Sequence, residues 1–124
     1  MKQLIIEGTK YSPRIELNPT GHIKIEGRCL FEDPFVYFNP IFRWVKSCTF
    51  NTVDIKIKLE YVNTSSVKQI YTLLSLIKDN YHIKNVYINW YYEEGDDDCL
   101  ELGKDIESQI QLPFDFFEYT ETAA

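Results

Sequence analysis

Residues 53–61 alternate without a break: Val53, Ile55, Ile57, Leu59 and Tyr61 are apolar, and Asp54, Lys56, Lys58 and Glu60 between them are charged. A period of two puts the apolar side chains on one face of a β-strand. A strand buried on both faces would read as continuously apolar, so this one belongs to a sheet covered on a single face. Six residues further on, the period changes. Val67, Ile70, Tyr71, Leu74 and Ile77 form a stripe at helical spacing, with Lys68, Gln69, Thr72 and Lys78 off it, ending near Asp79 and Asn80. The strand therefore runs into a helix through Asn63, Thr64, Ser65 and Ser66.

The rest of the chain repeats this unit. Leu4 to Ile6 reads as a short strand. Arg14, Ile15, Glu16 and Leu17, then His22 to Glu26, form a hairpin about the Asn18-Pro19-Thr20-Gly21 turn. Residues 28–33 form a loop, with Asp33 as a cap and Pro34 at the first position of a helix. Phe35, Phe38, Ile41, Phe42 and Val45 continue that helix, and Pro40 is expected to break it because proline has no amide proton to donate. Val86 to Tyr92 is another strand, 93–98 an acidic loop and helix start, and Leu100, Ile106 and Ile110 help mark a last helix stopped by Pro113. Phe114 to Phe117 is a last strand. The expected order is βββαβαβαβ, a mixed α/β sheet of about six strands with helices mainly on one face. Strands separated by such helices should lie parallel.

At 124 residues the chain has the length of one domain, expected over residues 1–119 with a flexible tail at 120–124. Nine Tyr, eight Phe and two Trp within a 44% hydrophobic composition supply a packed interior. The net charge of −6 and the scattered Lys and Arg argue against nucleic acid as a partner, because such binding rests on cations neutralising phosphates. No apolar run approaches the roughly 20 residues that span a bilayer. Met1-Lys2-Gln3 leads into a strand-like segment instead of a signal peptide, so membrane insertion is not expected and a cytoplasmic location is. Cys29, Cys48 and Cys99 are odd in number and far apart, which gives neither a disulfide framework nor a zinc site, and His22 and His82 are isolated.

In open α/β sheets, sites favour the edge where loops leave the strand C-termini. Loops 28–33, 63–66 and 93–98 should meet there. Asn63, Thr64 and Ser65 can each cap the following helix, which is the bland reading of the junction. One cap suffices, however, so hydroxyls remain for modification. A phosphoryl group would add about −1.5 to −2 charges. At a helix start that charge meets unpaired amides and the positive end of the dipole, while the acidic loop would oppose it and Lys68 offset part of that opposition. Asp96, Asp97 and Asp98 are contiguous and lack the alternating ligands of a calcium loop. No nucleophile-elbow or glycine-rich phosphate motif is present, so no catalysis, cofactor or metal is expected. Residue pattern alone leaves open which of Thr64, Ser65 and Ser66 would be modified.

Several segments resemble the SiaC family of bacterial regulatory phosphoproteins. They are Thr9-Lys10-Tyr11-Ser12-Pro13-Arg14-Ile15, Gly27 with Phe31-Glu32-Asp33-Pro34, the Ile41 to Val45 stretch with Trp44, Glu60 through Lys68, Asn89-Trp90-Tyr91-Tyr92, Leu102-Gly103-Lys104-Asp105 and Leu112-Pro113-Phe114. The Tyr-x-Asn-Thr-Ser-Ser-x-Lys core is the most specific of them. The resemblance implies a fold similar to anti-sigma-factor antagonists of the STAS type. It also implies that a serine/threonine kinase phosphorylates the motif threonine, here Thr64, and that a metal-dependent phosphatase removes the group. The unphosphorylated form would bind an effector such as a diguanylate cyclase. Asn63, Ser65, Ser66, Lys68, Glu32, Asp33, Asp96, Asp97 and Asp98 would make the partner-binding edge. The alternative is an interaction module that works without phosphorylation, through its polar sheet face or its Phe-rich helix.

Overall fold

The computed structural model describes residues 2–121. Its elements follow in the order β1 (Leu4–Ile6), β2 (Arg14–Leu17), β3 (His22–Cys29), α1 (Pro34–Lys46), β4 (Thr52–Val62), α2 (Thr64–Asp79), β5 (Asn85–Glu93), α3 (Asp97–Ile110) and β6 (Phe114–Tyr119). The six strands form one sheet in sequential order. β1, β2 and β3 pair antiparallel, whereas β3, β4, β5 and β6 pair parallel through the three helical crossovers. This is the expected βββαβαβαβ architecture.

Burial follows the alternation that the sequence carries. Along β4, Val53, Ile55, Ile57 and Leu59 are buried, and the charged residues between them are only partly covered or exposed. Ile15, Leu17, Ile23, Ile25, Ile88 and Trp90 extend this apolar face, and the helices cover it with Phe38, Ile41, Ile70, Leu73, Leu74, Ile77 and Ile106. The other face is open. Its charges pair locally, Lys56 with Glu26 at 3.1 Å and Arg28 with Glu60 at 3.2 Å, while Lys56 and Lys58 also lie over the rings of Tyr91 and Tyr119.

Three local expectations are corrected. α1 runs unbroken through Pro40. The carbonyl this proline deprives of a partner is that of Val36, on a side of the helix exposed enough for water to serve instead. β3 continues to Cys29, past a register shift between Gly27 and Arg28, so Arg28 and the buried Cys29 belong to the sheet and only 30–33 is loop. Asp33 flanks α1 but its side chain makes no capping hydrogen bond; Pro34 at the first helical position has no amide proton to satisfy. At the other end of the chain, Thr120 Oγ1 donates to Glu94 Oε2 at 2.9 Å. Of the rest of the expected tail, Glu121 is exposed and 122–124 lies outside the described residues.

α3 is held to the sheet by a close approach. A Cβ at Gly103 would come within 2.6 Å of the Trp90 indole nitrogen, so only glycine lets the helix lie there. The same Trp90 Nε1 donates to the Cys99 carbonyl at 3.0 Å, fixing the first turn of α3 over β5.

Candidate functional site: the strand-exit edge

Because β3, β4 and β5 are parallel, all three end at one edge of the sheet, and their loops lead straight into α1, α2 and α3. Asn63 ties two of these loops together. Its backbone amide donates to the Cys29 carbonyl at 3.0 Å, and its Nδ2 donates to the Phe31 carbonyl at 2.8 Å. Its Oδ1 accepts the Ser66 amide at 3.0 Å, which makes Asn63 the cap of α2. The third loop is brought in by a cleft of ≈ 320 Å³ between the end of β4 and the start of α3, lined by Glu60, Tyr61, Val62, Asp96, Asp98 and Leu102 among others.

With the cap supplied by Asn63, the three hydroxyls separate. Ser66 is fully buried and its Oγ has no hydrogen-bond partner, so a residue expected to face partners is withdrawn from the surface. Ser65 is exposed, with its hydroxyl donating to Asn63 Oδ1 at 3.3 Å. Thr64 is exposed and is the first residue of α2. The amides of Thr64 and Ser65 lie in the first turn, where no helical carbonyl precedes them as acceptor. No acidic residue occupies that turn.

The remaining expected residues occupy the same edge. Glu32, Asp33, Lys68, Asp97 and Asp98 are exposed. Asp96 is partly buried and caps α3, its Oδ1 accepting the Cys99 amide at 3.0 Å. Among the described residues no cluster of three or more His, Cys, Asp or Glu is arranged to hold a metal. The thiols are unsuited to attack at neutral pH: burial pushes Cys29 and Cys48 up to about 12, and burial also raises Cys99.

One contributor escaped the sequence reading. β2 runs antiparallel to β3, so the segment joining β1 to β2 returns to this same edge. There the Leu30 amide donates to the Tyr11 carbonyl at 2.9 Å, and the Tyr37 hydroxyl donates to the Pro13 carbonyl at 2.7 Å. Tyr11, Leu30, Phe35 and Tyr61 thus add exposed apolar surface near the loops. The hairpin signal at Asn18-Pro19-Thr20-Gly21 contained this information, because a hairpin reverses the chain and carries the preceding loop to the exit edge of the following strand.

A six-stranded sheet covered on one face, with an exposed threonine opening a helix amid polar loops, defines a small mixed α/β protein. The chain belongs to the SiaC family of regulatory phosphoproteins, whose profile it matches over residues 6–119. It is 24% identical over 119 residues to an uncharacterized protein of Pseudomonas aeruginosa strain UCBPP-PA14, covering 92% of this chain and 94% of that one. Its fold is similar to that of apo-SiaC from Pseudomonas aeruginosa, with a TM-score of 0.83 and 24% identity over 94% of this chain and 99% of the other. It is similar as well to SiaC in the crystal structure with the diguanylate cyclase SiaD, which that SiaC activates; the TM-score is 0.84 and the identity 23%, over 94% and 99% of the two chains.

Proposed function

We propose that this protein is a cytoplasmic, non-enzymatic phospho-switch in which a serine/threonine kinase modifies Thr64 and a metal-dependent phosphatase restores it. The unphosphorylated form binds and regulates an effector, a diguanylate cyclase being the reading favoured by the relative crystallised with SiaD. The observation that carries this is the division of labour at the start of α2. Asn63 supplies the cap, Ser66 is buried, and Thr64 is left exposed at the dipole end of a helix without a charge in its first turn.

A phosphoryl group on Thr64 would lie against the first-turn amides and the positive helix end, a favourable contribution on the order of 0.3–1 kcal/mol at an exposed site. Phosphorylation therefore leaves the fold intact and changes the surface. Lys68, one turn on, is available as a counter-charge, while the acids Asp96 to Asp98 at the start of α3 oppose the added charge. Isothermal calorimetry with the effector tests the switch. Thr64→Ala should bind like the unmodified protein and Thr64→Glu more weakly; equal affinity for both would count against it.

A second reading draws on α1, where Phe35 is 57% and Val36 68% exposed. These side chains could dock a partner irrespective of phosphorylation. Under that reading Phe35→Ala abolishes effector binding and Thr64→Glu leaves it unchanged.

A further inference from the structure

The sheet has two edges, and they are finished differently. β1 is three residues long, whereas β6 runs for six, Phe114–Tyr119, in unbroken register with β5. Proteins blunt exposed edges with short strands, Lys, Pro or bulges. β1 uses the first of these devices. β6 uses none of them, for Phe-Asp-Phe-Phe-Glu-Tyr contains neither Lys nor Pro and its pairing shows no bulge.

The backbone fixes which groups this edge leaves unpaired. The Tyr119 carbonyl accepts the Glu94 amide at 2.8 Å, so the polar groups of Tyr119 face β5. Successive residues of a strand turn theirs to opposite sides, so Asp115 and Phe117 also pair inward, while Phe114, Phe116 and Glu118 point outward. The Phe114 amide is accordingly taken by Glu107 Oε2 of α3, at 2.7 Å. Among the described residues no strand lies beyond β6, so the amides and carbonyls of Phe116 and Glu118 are left to solvent. The residues that follow turn inward instead of covering them: Thr120 Oγ1 donates to Glu94, and Glu121 lines a cleft with Arg14 and Lys58 on the open face. An extended chain laid alongside would pair with both residues.

The side chains say what kind of chain that is. Asp115 and Glu118 are exposed on opposite faces of β6, and no Lys or Arg follows Lys104 in the sequence. Phe117 is 41% exposed and stacks on Tyr91 with ring centroids 5.0 Å apart, a ledge along which the methylene stem of a Lys or Arg can lie. A second copy paired edge to edge would bring the same two acids of each chain into one short ladder, between molecules that each carry a net charge of −6. These positions repel a second copy and attract a cationic strand.

We propose that the β6 edge takes up an extended, Lys- or Arg-bearing segment of a partner protein as an added strand. Neither Thr64 nor the start of α2 takes part, so this site and the switch stand or fall separately.

The test uses the full chain, labelled with nitrogen-15, and two capped Val/Thr peptides of about eight residues, enough to cover β6. One carries two Lys and the other two Glu, spaced three apart like Asp115 and Glu118 so that one charge reaches each face. The Lys peptide should slow hydrogen exchange at the Phe116 and Glu118 amides and bind about tenfold more tightly than the Glu peptide. The double variant Asp115→Lys, Glu118→Lys changes two exposed side chains and should invert that preference, with an unchanged circular dichroism spectrum. Equal affinities, no added protection at Phe116 and Glu118, or a preference that the double variant leaves intact would overturn the proposal. So would protection of the same two amides that grows with protein concentration in the absence of peptide, because the edge would then belong to a second copy.

Discussion

α2 and α3 start at the same edge, follow neighbouring parallel strands, and are capped by the same device, a side-chain oxygen three residues before the amide it accepts. Asn63 accepts from Ser66 and Asp96 from Cys99, both at 3.0 Å. They differ in the turn that follows. α3 places Asp97 and Asp98 there, so its dipole already meets negative charge; α2 places Thr64, Ser65 and Ser66 there and has none. One helix start is electrostatically complete, whereas the other can accept an added anion. The difference explains why hydroxyls and carboxylates have separate places on one edge, and why a charge added to α2 is compatible with the fold.

The comparison is broken most completely by moving α3. Gly103→Val would force a side chain into the Trp90 indole and displace the helix from β5, at a cost of about 3 kcal/mol, the upper range for overpacking. Urea denaturation would show it, together with loss of the cleft between Asp98 and Tyr61. Next in size, Asn63→Ala removes a cap worth about 1 kcal/mol and a further bond to Phe31 worth a similar amount. Asp96→Ala removes a cap alone, so in parallel denaturation experiments it should cost roughly half as much.

These estimates rest on contacts that the sequence showed only in part. The period-2 run of β4 and the stripe of α2 were legible because each sets one face against the core, and the order of elements followed from them. The edge was legible as well, since parallel strands gather their exits. Pro40 misled because the sequence does not show that the freed carbonyl belongs to an exposed turn. Asp33 misled because a capping residue type does not guarantee capping geometry. Within the motif, Asn63, Thr64, Ser65 and Ser66 look interchangeable in composition. Only burial separates Ser66 from Thr64, and burial depends on how α2 rolls against the sheet.

The smallest expected effect concerns that separation. Ser66→Ala deletes a buried hydroxyl without a partner, so stability should change by less than about 0.5 kcal/mol, or rise, in the same denaturation assay. Thr64→Ala should be similarly small, because its side chain is exposed. Under the proposed function, fold and switch are then separable at this helix start: Asn63 serves the first, and Thr64 is where we place the second.

Incubating the folded protein with its cognate kinase and ATP, then locating the phosphate by tandem mass spectrometry, tests the central claim most directly. The account predicts modification at Thr64, with Thr64→Ala left unmodified under the same conditions. Phosphate on Ser66 of the folded protein, or solely outside residues 63–66, would contradict it.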